Sequence, residues 1–152
     1  MTALSDIKPT ERHRIYDLVR SAGIDVSDWA KLKGGKSKAA ANPKYCYEWS
    51  FFRAKKLVVL NLWHAELDYH NGIISKGLNL RRRAFRIETV PNRKKRALNM
   101  DQYIQTAYVE GLSVRVILLE GRIRKSNDPD GKPSRATKRR LDPETWAVTE
   151  YD

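Results

Sequence analysis

The pattern of hydrophobic and polar positions predicts short helices in the first quarter of the chain. Apolar residues recur at helical spacing within residues 11–22, where Thr10 is the expected cap and Gly23 the expected stop. Ser27 is suited to cap a second short helix, and the Gly34-Gly35 pair after it predicts a flexible basic loop. The chain is therefore expected to open with a helical segment.

Two patterns of a different kind predict a β-hairpin. Aromatic and polar residues alternate in residues 45–52, so that four aromatic rings would share one face of a strand. Residues 57–63 are apolar on both faces apart from Asn61, which is typical of a buried central strand. The polar residues 53–56 would connect the two strands, and residues 71–74 predict a further turn and short strand.

The second half of the chain predicts one longer helix and two more strands. An apolar face recurs at helical spacing over residues 97–108, residues 114–118 alternate, and residues 146–151 form a last strand-like segment. Residues 78–90 fit neither period. This order predicts an α+β fold with a mostly antiparallel sheet, an N-terminal helical segment and one longer central helix. Residues 1–152 are expected to form a single domain, either whole or as the N-terminal fragment of a longer protein.

Positive charge is concentrated in three blocks, and this points to a polyanionic partner. Residues 76–96 hold nine Lys or Arg and one acid, residues 31–44 hold five and none, and residues 121–140 hold eight and two. The blocks sum to +19, whereas the whole chain carries +12, so the remainder carries −7. Apolar residues such as Leu80 and Phe85 interrupt the longest block, so we expect it to dock on the fold and the three blocks to build one basic face. Nucleic acid, double-stranded DNA first, is the expected partner, because each neutralised phosphate releases counterions.

The blocks and the aromatic residues beside them supply the candidate contacts. The expected base contacts are aromatic rings that stack on or enclose a base, namely Trp29, Tyr45, Tyr47 and Trp49. The alternative is that these rings only build the core, as alternating aromatics commonly do. The expected phosphate contacts are Lys31, Lys33, Lys36, Lys38, Arg81, Arg82, Arg83, Arg93, Lys94, Lys95, Lys138, Arg139 and Arg140.

Catalytic chemistry has little support, and we predict no catalytic residue, metal or cofactor for this chain. The phosphate-binding and dinucleotide-binding glycine motifs are absent, and Cys46 lies among aromatic residues that favour a buried, inert thiol. Metal-binding residue types cluster only at His64, Glu66, Asp68 and His70. A polar surface loop explains that cluster, and a small metal-dependent nuclease is the alternative.

Several stretches of the sequence resemble a module of bacterial proteins, some of which carry a C-terminal HNH nuclease domain of the McrA type. The similar stretches are Ile15–Val19, Ala22–Trp29, Asn42–Phe51, Val58–Trp63 and Arg140–Val148. McrA-type enzymes are modification-dependent restriction endonucleases, so the resemblance implies a module that reads modified cytosine in DNA. The chain has no HNH motif, and the resemblance therefore implies a recognition half whose nuclease would follow it.

The remaining features bear on compartment and on competing functions. The single cysteine suits a reducing compartment, the first residues lack the features of a signal peptide, and residues 57–60 are too short an apolar run to cross a bilayer. We therefore expect a cytoplasmic protein without a membrane partner, whose oligomeric state stays open. An RNA- or ribosome-associated protein is the third alternative, since basic charge alone does not separate RNA from DNA.

Overall fold

The computed structural model describes residues 3–88, 90–124 and 133–152. The predicted loop over residues 126–133 lies outside these ranges except for Pro133. Lys125 and Lys132 of the third basic block also lie outside them.

The N-terminal segment is helical, as predicted, but its boundaries differ. Helix α1 spans Ile15–Ala22, and Arg14 rather than Thr10 precedes it. The helix begins there because Arg14 pairs with Asp17 of the first turn at 2.8 Å, where an acidic side chain suits the positive end of the helix. Gly23 ends it in the left-handed conformation, with φ of 112°.

Two short 3-10 helices follow α1. Ser27–Ala30 forms the first, at the predicted place. Gly35–Ala41 forms the second, so the prediction of a flexible loop there is wrong. The segment is ordered because Ala39 is buried against the core, and because the Asn42 side chain that follows donates to the carbonyl of Trp29 at 2.9 Å.

Four strands form the main sheet and two more form a separate hairpin. The bounds are Ser50–Arg53 for β1, Leu57–Trp63 for β2, Asp68–His70 for β3, Ile73–Ser75 for β4, Ser113–Arg122 for β5 and Arg135–Leu141 for β6. The main sheet has the order β1-β2-β5-β6, and β3 pairs with β4. Within the main sheet β1 and β2 are antiparallel, β2 and β5 are parallel, and β5 and β6 are antiparallel. The predicted α+β class with a mostly antiparallel sheet is confirmed.

Two strand predictions need correction. The strand predicted over residues 45–52 is replaced by β1 from Ser50 onwards, because the Asn42 carbonyl accepts hydrogen bonds from the amides of Tyr45 and Cys46 and holds this stretch in turns. The last strand is β6 rather than residues 146–151, of which Trp146 makes only an isolated bridge to β5. The charged strand β6 lies at the sheet edge, where charged residues are well tolerated.

Helical elements cover both faces of the main sheet. Helix α2, Leu80–Arg82, continues into a π-helical turn at Arg83–Ile87, and helix α3 spans Pro91–Glu110, the predicted longer helix. Val58, Leu60 and Leu62 of β2 pack on the side of α2 and α3. Val59, on the opposite side of the same strand, packs with α1 and the 3-10 segments. The sheet therefore lies between the basic block of residues 31–44 and that of residues 76–96. The two blocks do not share a face, and the expectation of one basic face is wrong.

Candidate functional site

A pocket of about 460 Å³ opens at the edge of the main sheet that is formed by the ends of its strands. The parallel strands β2 and β5 both end at this edge, a place where open sheets commonly bind ligands. Residues 46–49, the π-helical turn, the first turn of α3 and the β5–β6 hairpin complete the wall. The pocket is thus lined from both sides of the sheet.

Three aromatic side chains line this pocket, namely Tyr47, Trp49 and Trp63. The guanidinium groups of Arg83 and Arg93 lie 5.0 and 5.2 Å from the centre of the Trp49 ring. Such cation–π contacts fix the orientation of the ring. Tyr47 is exposed at the rim, with the guanidinium of Arg96 5.9 Å from its ring centre.

Glu88 holds the two arginines that contact Trp49. Its Oε2 accepts from Nε of Arg83 and its Oε1 from Nε of Arg93, both at 2.8 Å. Burial raises the pKa of Glu88, but the hydrogen bonds and positive charges of Arg93 and Arg83 outweigh it, so the pKa lies below its usual value. Glu88 is therefore ionised at neutral pH and joins the two arginines into a rigid frame.

The pocket lining contains two residues that offer acceptor groups, namely the side-chain amide oxygen of Asn61 and the carboxylate of Glu48. The Nδ2 of Asn61 donates to the backbone carbonyl of Glu48 at 3.1 Å, and the amide of Asn61 donates to the carbonyl of Trp49 at 3.0 Å. Asn61 Oδ1 is buried and has no donor in the described part of the chain. Burial raises the pKa of the Glu48 carboxyl, and the charges of Arg96 and Lys95 only partly oppose this.

The lining is strongly cationic. Its charged members are Lys76, Arg83, Arg93, Arg124, Arg135, Arg139, Glu48 and Glu66. Six cations and two acids give the lining a net formal charge of +4, and the Glu88 carboxylate that pairs with Arg83 and Arg93 reduces it to +3. Burial raises the pKa of the Cys46 thiol beside them, so this cysteine stays protonated and is not an activated nucleophile.

The structure divides the four predicted base contacts into two pairs. Trp29 is only 2% exposed, with Tyr45 stacked on it at 5.5 Å between ring centres and Phe51 at 6.0 Å. A base cannot reach Trp29 in this arrangement, and Tyr45 belongs to the same core cluster. Tyr47 and Trp49 line the pocket, so these two stay candidates.

The predicted phosphate contacts also fall into groups. Lys31 pairs with Asp28, Arg81 with Asp101, and Arg83 and Arg93 with Glu88. Arg139 and Arg140 are half-buried and donate to the backbone carbonyls of His13 and Asp6. The others are exposed and pair with no acid in residues 3–88, 90–124 and 133–152, namely Lys33, Lys36, Lys38, Arg82, Lys94, Lys95 and Lys138.

The base and phosphate contacts predicted from the sequence did not include Trp63, Glu48 or Asn61. Asn61 carried a usable signal, since it is the one polar residue in an otherwise apolar central strand. Trp63 and Glu48 carried none. The antiparallel pairing of β1 with β2 places Glu48 beside Asn61, and the parallel pairing of β2 with β5 brings the two strand ends, including Trp63, to the pocket.

The metal-like cluster is not assembled. His64 and Glu66 lie on a 3-10 helix, Asp68 and His70 on β3, and Nε2 of His64 is 2.7 Å from the carbonyl oxygen of Leu4. The described residues contain no group of three or more His, Cys, Asp or Glu that is suited to hold a metal ion. Within the same residues, no helix has both the length and the apolar character needed to cross a membrane.

Comparisons of the chain with protein-family models, with curated proteins and with solved structures give no match.

Proposed function

We propose that this chain is a DNA-binding module that reads a modified base, with modified cytosine as the first candidate, in a bacterial restriction or defence system. One observation carries the proposal, namely a pocket of about 460 Å³ that combines aromatic rings with a net positive rim. A nuclease domain that follows the module is the partner that the sequence resemblance implies.

Charge supports the choice of a polyanion. Seven exposed Lys and Arg side chains among the predicted phosphate contacts pair with no acid in the described residues. Each phosphate that such a side chain neutralises adds about −0.9 to the slope of log K against log salt for duplex DNA. None of the seven lines the pocket. Lys33, Lys36 and Lys38 belong to the segment on the α1 side of the sheet, and Arg82, Lys94 and Lys95 belong to α2 and α3 on the other side, so a partner that contacts both groups must extend from one side of the sheet to the other.

The pocket itself supports a base as the recognised group. Its volume lies within the range of roughly 300–1,000 Å³ that is usual for small-ligand sites. Aromatic rings such as Trp63 stack on bases, and enzymes that extrude a base from the duplex hold it between such rings. The Glu48 carboxylate is an acceptor for an exocyclic amine, and cytosine presents that donor at N4.

Fluorescence anisotropy measures the binding of a short duplex that contains one 5-hydroxymethylcytosine. This assay tests both the electrostatic binding of phosphates and the binding of a base in the pocket. Affinity is expected to fall steeply as salt rises, and a flat salt dependence would contradict the electrostatic part. Trp63→Ala is expected to lose about 5- to 150-fold in affinity, the equivalent of one lost base stack of ~1–3 kcal/mol.

Tyr69→Ala is the matched control, since Tyr69 is an exposed aromatic residue on β3 that does not line the pocket. It should bind as the wild type does. Equal losses in the two variants would refute a role for the pocket. Preferential displacement of the duplex by structured RNA would instead favour the RNA-associated alternative.

A further inference from the structure

A row of three paired residues crosses the sheet inside the pocket. Trp63 of β2 pairs with Leu119 of β5, and Leu119 pairs with Arg139 of β6. Residues that pair in register on neighbouring strands extend their side chains from the same face of the sheet. Leu119 packs with the cluster on the α1 side, so Trp63 and Arg139 extend on that side too. All three residues line the pocket.

The spacing of this row suits a nucleotide. Neighbouring strands lie about 4.8 Å apart, so the backbone of Arg139 lies roughly 10 Å from that of Trp63. A base that stacks on the Trp63 ring carries a sugar and a phosphate with it. Leu119 offers the sugar an apolar surface, and the guanidinium beyond it offers the phosphate a cation.

The charge of Arg139 is not neutralised by an acid of the described residues. The side chain is half-buried and forms no ion pair within residues 3–88, 90–124 and 133–152. Burial lowers the pKa of the Arg139 guanidinium, and only the charge of Cys46 opposes this effect. Because folding has already removed part of its water, this guanidinium binds an anion at a lower cost of desolvation than an exposed arginine does.

The guanidinium is held in place while most of its donors stay available. Its Nη1 donates to the carbonyl of His13 at 3.1 Å, and the backbone amide of Arg139 donates to the carbonyl of Glu11 at 3.1 Å. A guanidinium has five N–H donors, and the described part of the chain occupies one of them. Two parallel N–H bonds to a phosphate are therefore open to Arg139, and such pairs are strong and directional.

We propose that Arg139 binds the backbone phosphate of the nucleotide whose base enters the pocket, with Arg135 as a second cation of this subsite. Arg135 is exposed, lines the pocket and lies on the same strand. Arg83 and Arg93 cannot take this role, because Glu88 already binds both. The inference rests on the proposed function and deepens it, because the pocket then selects a nucleotide within a strand and not a base alone.

The experiment compares Arg139→Gln with Arg140→Gln. Arg140 is the next residue on β6, is also half-buried and also donates to a backbone carbonyl, that of Asp6, but it does not line the pocket. Each variant binds a 5-hydroxymethylcytosine duplex whose two phosphates beside the modified base are either ordinary or replaced by neutral methylphosphonates.

The methylphosphonates are expected to weaken binding by the wild type and by Arg140→Gln about tenfold or more, since a hydrogen bond between charged groups is lost. They should weaken binding by Arg139→Gln clearly less, because the phosphate has already lost its partner. On the ordinary duplex, Arg139→Gln should also reduce the slope of log K against log salt by about 0.9, the value of one phosphate contact.

Arg139→Met gives the same comparison should the glutamine variant not fold, because methionine keeps the apolar stem of the arginine. An equal methylphosphonate penalty in the wild type and in the folded Arg139 variant would overturn the inference. Binding by the wild type that is indifferent to the methylphosphonates would overturn it as well.

The two proposals fail in different ways. If the wild type binds no duplex, or Trp63→Ala binds as well as the wild type, the proposed function fails and the inference fails with it. If Trp63→Ala is weak while the Arg139 variant responds to the methylphosphonates as the wild type does, only the phosphate subsite is refuted.

Discussion

Replacing Glu88 by Gln is expected to destabilise the fold, because Glu88 links two arginines to the pocket ring. Its carboxylate accepts at 2.8 Å from Arg83 and at 2.8 Å from Arg93. A glutamine keeps one acceptor oxygen and offers an amide in place of the other, so one guanidinium loses its charged partner. Hydrogen bonds to charged groups contribute about 1.5–3 kcal/mol each to stability.

The exposure of the two arginines decides how much of this roughly 1.5–3 kcal/mol each hydrogen bond contributes. The Arg93 side chain is 16% exposed, whereas that of Arg83 is 38% exposed and its contribution is reduced by solvent screening. We therefore expect Glu88→Gln to lower the free energy of unfolding by roughly 2 kcal/mol. For a chain of this length, that corresponds to a fall in melting temperature of roughly 4–8 °C.

Urea unfolding followed by tryptophan fluorescence measures the difference, and its pH dependence gives a second test. The pKa of Glu88 is lowered in the folded state from the ordinary value of 4.5. Its stabilising contribution is therefore complete above pH 4.5 and is lost as the pH falls through the lowered folded value. The difference between wild type and Glu88→Gln should shrink accordingly in acid.

Glu150→Gln is the control, since Glu150 is exposed and has no ion pair within the described residues. It should unfold with the wild-type midpoint. Wild-type stability for Glu88→Gln at neutral pH would refute the reasoning. A difference that persists unchanged at about pH 3 would refute the assignment of the effect to carboxylate charge.

Three further substitutions test other parts of the structure. Glu48→Gln should raise the free energy of unfolding at neutral pH, because burial disfavours the ionised carboxylate. In binding assays the same variant should distinguish cytosine less well from the other bases. Asp142→Ala should lower that free energy by about 1–3 kcal/mol in a urea titration, since the buried carboxylate accepts from Nε1 of Trp146 at 2.8 Å. Gly121→Ala should destabilise by about 3 kcal/mol or more in thermal unfolding, because φ is 150° there and a Cβ would overlap the Arg135 carbonyl.

Much of the fold followed from periodicity alone. Strand β2 was predictable because seven consecutive residues with a single polar member are typical of a strand buried on both faces. Helix α3 was predictable because Ala97, Met100 and Ala107 recur on one face, although Tyr108 of the predicted face is exposed. These elements are long, and their pattern outweighs local irregularities.

The remaining features depend on tertiary structure. The seven residues of β6 carry charges that gave no strand pattern, and the strand exists because its backbone pairs with β5. The aromatic alternation at residues 45–52 indicated a strand, but hydrogen bonds to the Asn42 carbonyl fold its first half into turns. The burial of Trp29 depends on rings from three other segments, which no local window reveals.

The candidate site was predictable only in part. Charge and aromatic content predicted a nucleic-acid partner, which stays a prediction, and two of the four predicted rings, Tyr47 and Trp49, line the pocket. The choice between rings was not predictable, since the antiparallel pairing of β1 with β2 brings Tyr47 and Trp49 to the end of β2, while Trp29 and Tyr45 stack on each other in the core. Trp63 reaches the pocket as the last residue of β2 and not through any motif of its own.

The central claim is that the pocket at the sheet edge reads one base while the surrounding cations hold the phosphates. It is tested most directly by the ratio of dissociation constants for plain and modified-cytosine duplexes of one sequence at a single salt concentration. The account predicts that the wild type binds a methylated duplex about fourfold more tightly than the plain one, because the pocket then buries one more methyl group at ~0.8 kcal/mol, and that Trp63→Ala abolishes the difference. Equal affinity of the wild type for plain and modified duplexes would contradict it.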